Sequence, residues 1–297
     1  MTAAADTAAG PSRRRAPTGL RSLADAWKHL QTKVGVIITL LIVLVAVAGP
    51  YLAPYAHTEF VDLPFGKPSG DAWFGTDNLG RDVLTRVLYG GRTVVVMSFL
   101  SVVVGMVLGI AFGLVAGYSR TWLDDVLMGT TDIVLAFPHL LLTLLFVAMA
   151  GPHKWLIVLL VAVGHAPRIA RLTRGLTLDA SRLEYVEAAE AMALPRWRIL
   201  ASEILPNLST PLMVEFGVRL AISVGMLAAL SFLGAGLQPP EADWGLMINE
   251  NRSALNVQPW AVVIPMATIS LFALGAYLIS EGFARAFAGV DRQGIRT

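Results

Sequence analysis

Long apolar runs alternate with short polar breaks along this chain, and no two-residue alternation of strand type competes with them. Six runs approach or exceed the roughly 20 residues that a helix needs to cross a bilayer: 34–51, 93–116, 126–150, 155–169, 212–233 and 260–279. Pro50 and Pro54 are expected to close the first. The second carries Gly105, Gly109 and Gly113 at four-residue spacing, a row that lets a neighbouring helix approach closely. Pro138 should kink the third. The pattern predicts an all-α integral membrane protein with six transmembrane helices.

The flanks divide the rest. Residues 1–19 are rich in Ala, Thr and Pro and read as a disordered cytoplasmic tail, without the apolar core and cleavage site of a signal peptide. In 20–33, Leu20, Leu23, Ala24, Trp27 and Leu30 recur at helical spacing opposite Arg21, Asp25, Lys28 and Gln31. This predicts an interfacial amphipathic helix; a plain extension of the first span fits the same pattern. The first transmembrane helix with its closing turn takes 34–54 and an extracytoplasmic segment 55–92. A five-helix core fills 93–281, and 282–297 form a second cytoplasmic tail. With the N-terminus inside, the inner segments hold 16 of the 23 Lys and Arg residues and the outer segments 6. That bias puts both termini in the cytoplasm.

Composition narrows the chemistry. Only 15% of residues are charged, against about 25% in soluble domains. A net charge of +2 and the lack of a dense basic patch give no reason to expect nucleic acid as a partner. Cysteine is absent, which removes disulfides, thiolate catalysis and Cys-based metal sites. No P-loop, H-E-x-x-H or G-x-S-x-G motif occurs, and the five histidines lack metal-ligand spacing. No catalytic residue, metal site or cofactor is expected in this chain.

Against this background the polar stretch EYVEAAEAMALPRWRILASEILPN, 184–207, stands out, within a cytoplasmic loop spanning 182–207. Its first half favours helix, with Glu184, Glu187 and Glu190 on one face and Tyr185, Ala188 and Met192 on another. Pro195 disfavours helix at Leu194 and suits the first turn of a second helix, which should stop near Pro206. Such a charged protrusion is either a handle for a cytoplasmic partner or a solvated connector. On the outer side, Thr76 or Asp77 can cap a helix with Leu79, Val83, Leu84, Val87 and Leu88 as its apolar face. There Asp82 and Arg86 can pair at i, i+4, Gly90 supplies the stop, and Trp244 can anchor a later loop at the interface. Charges inside spans are costly and so functional candidates. Asp132 can face a cavity or a neighbouring helix. Glu215 and Arg219 can neutralise each other or line a gate.

Three stretches resemble the permeases of ATP-binding-cassette importers. Glu187, Ala188 and Ala189, with a closing Leu205-Pro206, are similar to that family's EAA loop. WFGTDNLGRDVLTRVLYGGR (73–92) and LSFLGAGLQPPEADWG (230–245) resemble segments of the second permease in dipeptide, oligopeptide and nickel importers. The C-terminal SEGFARAFAGVDRQ is a looser match. Where the family usually has Gly, this chain has Ala193; in a left-handed turn that Ala would cost about 1 kcal/mol. Glu203 stands where Ile is frequent.

The resemblance implies the type I importer fold, in the cell membrane of a prokaryote. It also implies a heterodimer with a second homologous permease, two ATP-binding subunits that hold ATP and magnesium, and an extracytoplasmic binding protein that delivers substrate. It assigns coupling to the ATPase to Glu184, Tyr185, Glu187, Ala188, Ala189, Glu190, Met192, Ala193, Leu194 and Arg196. It assigns an outer signature to Gly75, Thr76, Asp77, Gly80, Arg81, Asp82, Ser231, Gly234, Gly236, Gln238, Pro239 and Trp244. Substrates in that subfamily are peptides, nickel chelates, glutathione or oligosaccharides. Rival readings are an intramembrane hydrolase built on Asp132, which would need a second membrane aspartate, and a secondary transporter, which would often carry internal repeats.

Overall fold

A computed structural model describes residues 26–119 and 121–293, with side chains through Ala286. The expected N-terminal tail, Arg120 and residues 20–25 lie outside the described residues; of the expected amphipathic helix, 30–33 are the first turn of the first span and Trp27 before it is exposed, while 282–293, expected as a tail, continue the last helix. The chain forms α1 (Leu30–Leu52), α2 (Val83–Ser119), α3 (Trp122–Leu135), α4 (His139–Ala150), α5 (Lys154–Ala180), α6 (Glu184–Ala191), α7 (Arg196–Phe232), α8 (Trp244–Asn251) and α9 (Trp260–Gln293). Helices α1, α2, α5, α7 and α9 are each long and apolar enough to cross a membrane, and α3 with α4 makes a sixth, broken span. No strand is present among the described residues, apart from an isolated bridge between Thr76 and Asp82.

Several boundaries differ from the sequence pattern. Pro50 lies inside α1 near its end, where its missing N–H forfeits a single hydrogen bond, to the carbonyl four residues earlier, so the helix runs on to Leu52. The outer amphipathic helix and the second span are one 37-residue helix, α2. Gly90 therefore stops nothing. It and Gly91 are a notch in α2 into which the Trp244 indole packs; a Cβ on Gly91 would lie 2.7 Å from that ring. Pro138 does more than kink the third span: α3 and α4 meet at 80°. Helix α5 continues well past 169, through Pro167.

The glycine row works as the spacing predicts. Gly105, Gly109, Gly113 and Gly117 lie along α5 so closely that added Cβ atoms would stand 3.0, 2.8, 2.6 and 2.8 Å from the carbonyl oxygens of Ala162, Ala166, Ala170 and Arg174. The matching order of these partners makes α2 and α5 parallel. Their contact grades into a buried cluster of Val102, Met106, Leu114, Ile169, Leu208 and Leu212. Helix α9 packs on α1 where Gly35 meets Gly275, and on α7 where Ser280 Oγ donates to Val214 O at 2.5 Å. The outward face of α1, with Ile37, Leu40, Leu41 and Leu44, is exposed, as a surface meant for lipid or another apolar helix would be.

Candidate functional site

At one end of the bundle the outer-signature residues close into a cap. Gly75 and Gly80 have φ of +73° and +74°, and let the chain turn tightly around Asp77. The Asp77 carboxylate is fully buried and accepts from Leu79 N (2.8 Å), Arg81 N (3.0 Å), Arg81 Nε (2.8 Å) and an Arg86 guanidinium nitrogen (2.7 Å). Arg86 also donates to Glu250 on α8 at 2.6 Å, and Arg81 reaches the same carboxylate at 3.3 Å. Two arginines and two acids thus form a neutral cluster, the arrangement that buried charges require. The expected Asp82–Arg86 pair is absent because Arg86 is taken by these two acids. Asp82 instead caps α2, accepting from Thr85 N at 2.8 Å, the role expected of Thr76 or Asp77. Thr76 accepts from Gly66 N and donates to Leu63 O.

The second outer stretch completes the cap. Trp244 does not anchor a loop at a membrane interface: it is wholly buried, and its indole N–H donates to Val87 O at 2.9 Å. The notch at Gly90 and Gly91 made room for the ring. Asp243 caps α8 by accepting from Leu246 N at 2.9 Å, and burial raises its pKa against those hydrogen bonds. Gln238 donates to the carbonyls of Gly234 and Gly236, Gly236 packs against Ser231, and Pro239 is joined to Pro240 by a cis bond. Glu250 is the cap residue that the sequence reading missed. It lies far along the chain from the arginines, and local spacing carries no trace of the pairing.

At the opposite end, α6 has two unlike faces. Val186 and Ala189 are buried and belong to the same cluster as Val102, Ile169 and Leu208. Glu184, Tyr185, Glu187, Ala188, Glu190, Met192 and Ala193 are exposed. Ala193 has φ +53°, the left-handed conformation that the usual glycine would favour. Ala193 N bonds Glu190 O at 2.9 Å and Leu194 N bonds Ala189 O at 3.2 Å, which is a Schellman stop. The same pattern ends α7 at Gly234, where Ala235 N bonds Leu230 O. After the bend, the chain does not stop near Pro206. It passes through a π-helical segment, Ile199–Ile204, and a 3-10 turn, Leu205–Leu208, straight into the membrane part of α7. Pro206 has no N–H to give and shifts the hydrogen-bond register; Asn207 supplies a side-chain donor to Glu203 O at 2.6 Å.

A cavity of about 480 Å³ lies between α6, the end of α2 and the start of α7, lined by Tyr118, Arg182, Glu187, Glu190, Leu194 and Arg196. Glu190 accepts from Tyr118 Oη at 2.6 Å. Glu184 does not reach this cavity. Trp197, 71% exposed between Arg196 and Arg198, is a second residue the sequence reading passed over; an aromatic flanked by arginines in a polar loop is the signal that could have marked it.

The three charges singled out within spans, Asp132, Glu215 and Arg219, each have a partner. Arg219 Nε donates to Glu215 Oε1 at 2.6 Å, and both side chains are largely buried. Asp132 bonds a neighbouring helix, pairing with Arg171 of α5. One turn on, Arg174 grips Asp124 with two 2.5 Å bonds. His165 and Ser223 share a 2.8 Å hydrogen bond, and His139 Nε2 lies 3.0 Å from Leu160 O. Among the described residues no group of three or more potential ligands could hold a metal ion.

Comparison with known proteins gives a consistent result. A family model described as the inner membrane component of binding-protein-dependent transport systems matches residues 109–288. The chain is 38% identical over 258 residues to the glutathione transport system permease protein GsiD of Pectobacterium atrosepticum, covering 86% of this chain and 85% of that one. It is 34% identical over 271 residues to the dipeptide transport system permease protein DppC of Alkalihalophilus pseudofirmus, covering 89% of each. The di/tripeptide transport system permease protein DppC of Pseudomonas aeruginosa is 35% identical over 274 residues, 90% of each chain.

Proposed function

The chain belongs to the family of inner membrane components of binding-protein-dependent transport systems, and from that premise we propose that it forms half of the pathway of an ATP-driven peptide importer. It is a membrane permease and not itself an enzyme. Peptide is the proposed cargo because the similar permeases are named for dipeptides, di/tripeptides and glutathione, which is itself a small peptide. The other half of the pathway is a second homologous permease, making a heterodimer. Two ATP-binding subunits hold ATP and magnesium and dock from the cytoplasm. An extracytoplasmic protein delivers substrate to the cap. The excess of Lys and Arg on the α6 side supports the orientation with that side and both termini inside.

The observation that carries this reading is the double character of α6. Its exposed face offers Glu187, Glu190 and Met192 with Trp197 nearby, an acidic and apolar surface suited to a groove on a partner. Its buried face is continuous with the core of α2, α5 and α7. Tightly packed interiors transmit displacement because they have little free volume. A shift of α6 driven by closure of the ATPases would therefore move three spans together, with no bond made or broken in this chain.

The test is Glu187→Lys in the full complex reconstituted in vesicles. Glu187 is exposed, so the fold should survive, while ATPase activity stimulated by the binding protein should fall by about tenfold or more, the result of one reversed charge at a docking surface. Unchanged stimulated activity in an assembled complex would sink the coupling assignment.

A further inference from the structure

The arginines at 168, 171 and 174 form a stripe along α5 at three-residue spacing. Arg171 and Arg174 are each matched by an aspartate of α3. Arg168 has no ion-pair partner among the described residues, because α3 has by then ended and the chain has turned through 80° into α4. Arg168 borders a cavity of about 310 Å³ at that break, lined also by Pro138, His139, Leu142, Phe146 and Val163. Arg168 lies roughly 21 Å along α5 from Lys154, at 1.5 Å per residue, which is near the middle of this 27-residue helix.

Arg168 is exposed, and an exposed, unmatched cation on a helix that crosses the membrane is unfavourable unless it faces water or an anionic ligand. The cavity is of a size that small ligands use, mostly apolar with few polar groups. His139 is already committed: its ring packs directly on Gly164, and its Nε2 is held at Leu160 O. Arg168 is thus the free polar group of the cavity, and its planar fork of donors matches a carboxylate in two-point geometry. The first turn of α4 also opens at the break, adding a positive dipole end.

We propose that Arg168 and the cavity at the α3–α4 break form a way-station that binds a carboxylate of the transported substrate. The assignment rests on the peptide-import reading, since a peptide carries a C-terminal carboxylate. It gives the broken span a role: the 80° turn ends the acidic wall that neutralises the arginine stripe, and so leaves one arginine open to cargo.

Because the chain has no cysteine, Leu142→Cys places a single thiol in the cavity wall. In the assembled complex, its reaction rates with an anionic and a cationic methanethiosulfonate are compared with and without Arg168→Gln. Arg168→Gln breaks no ion pair among the described residues, and assembly with the partners checks its fold. The ratio of anionic to cationic rate should fall by about tenfold when the charge is removed. With Arg168 present, millimolar alanyl-alanine should slow labelling while its C-terminal amide does not, and Arg168→Lys should keep part of this selectivity. An unchanged rate ratio, or equal protection by acid and amide, would overturn the assignment, as would no protection by either. Uptake of alanyl-alanine by the unmutated complex is scored separately: its absence overturns the peptide reading, and its presence with an unchanged rate ratio overturns the Arg168 site alone.

Discussion

Arg86→Gln should be among the most destabilising single changes in the outer cap. The Arg86 guanidinium is fully buried and holds Asp77 at 2.7 Å and Glu250 at 2.6 Å. Without it, two carboxylates share Arg81, which reaches them at 2.8 and 3.3 Å, and the cluster changes from neutral to a net charge of −1. Each close pair is worth up to about 4 kcal/mol at an effective dielectric constant near 20. Release of Arg86 from its own desolvation offsets part of that. The balance falls in the range of about 3–5 kcal/mol expected when one partner of a buried pair is removed. At roughly 2–4 °C per kcal/mol, the purified protein in detergent should melt about 6–20 °C lower. Adding Glu250→Gln restores neutrality and leaves the Asp77–Arg81 pair intact, so the double variant should recover more than half of the loss. A single variant that melts within about 2 °C of the unmutated protein, or a double variant that melts below the single, would refute the argument that charge balance governs this cluster.

Three further outcomes are expected. Ala193→Gly should stabilise the end of α6 by about 0.5 kcal/mol, the relief of roughly 1 kcal/mol in a left-handed Ala less the extra freedom of unfolded Gly; slower amide exchange at Leu194 is the check, and faster exchange would mean that the turn carries too little strain to offset the freedom of Gly. Glu215→Gln and Arg219→Gln should each impair the reconstituted importer, while the double variant should be largely restored, because a lone charge is worse than none; an assembled double variant that hydrolyses ATP without the binding protein would make the pair part of a gate. For orientation, a cysteine at exposed Ser253 should react with an impermeant thiol reagent from outside the cell and one at exposed Ala201 should not; the reverse pattern would overturn the proposed topology and the coupling argument with it.

What the sequence by itself determined was mostly local or periodic. The apolar runs identified the spans because a helix in lipid must be apolar over its whole length. The glycine spacing on α2 announced a close helix contact, since one face of a helix repeats at three to four residues. Glu215 and Arg219 are neighbours on one helix turn, so their pairing was legible, and the strain at Ala193 followed from a glycine expected there. Tertiary structure decided the rest. Whether α2 began at Val83 or Thr93 depended on Trp244, more than 150 residues away, filling the notch that a stop at Gly90 would have abolished. Arg86 had an acid one turn away in Asp82, yet two acids brought in by the fold took it, because a buried guanidinium with several donors is best satisfied by a convergent cluster. The isolation of Arg168 belongs to the same class. Its spacing makes it look like Arg171 and Arg174, and only the 80° turn between α3 and α4 deprives it of the acidic partner that its neighbours have.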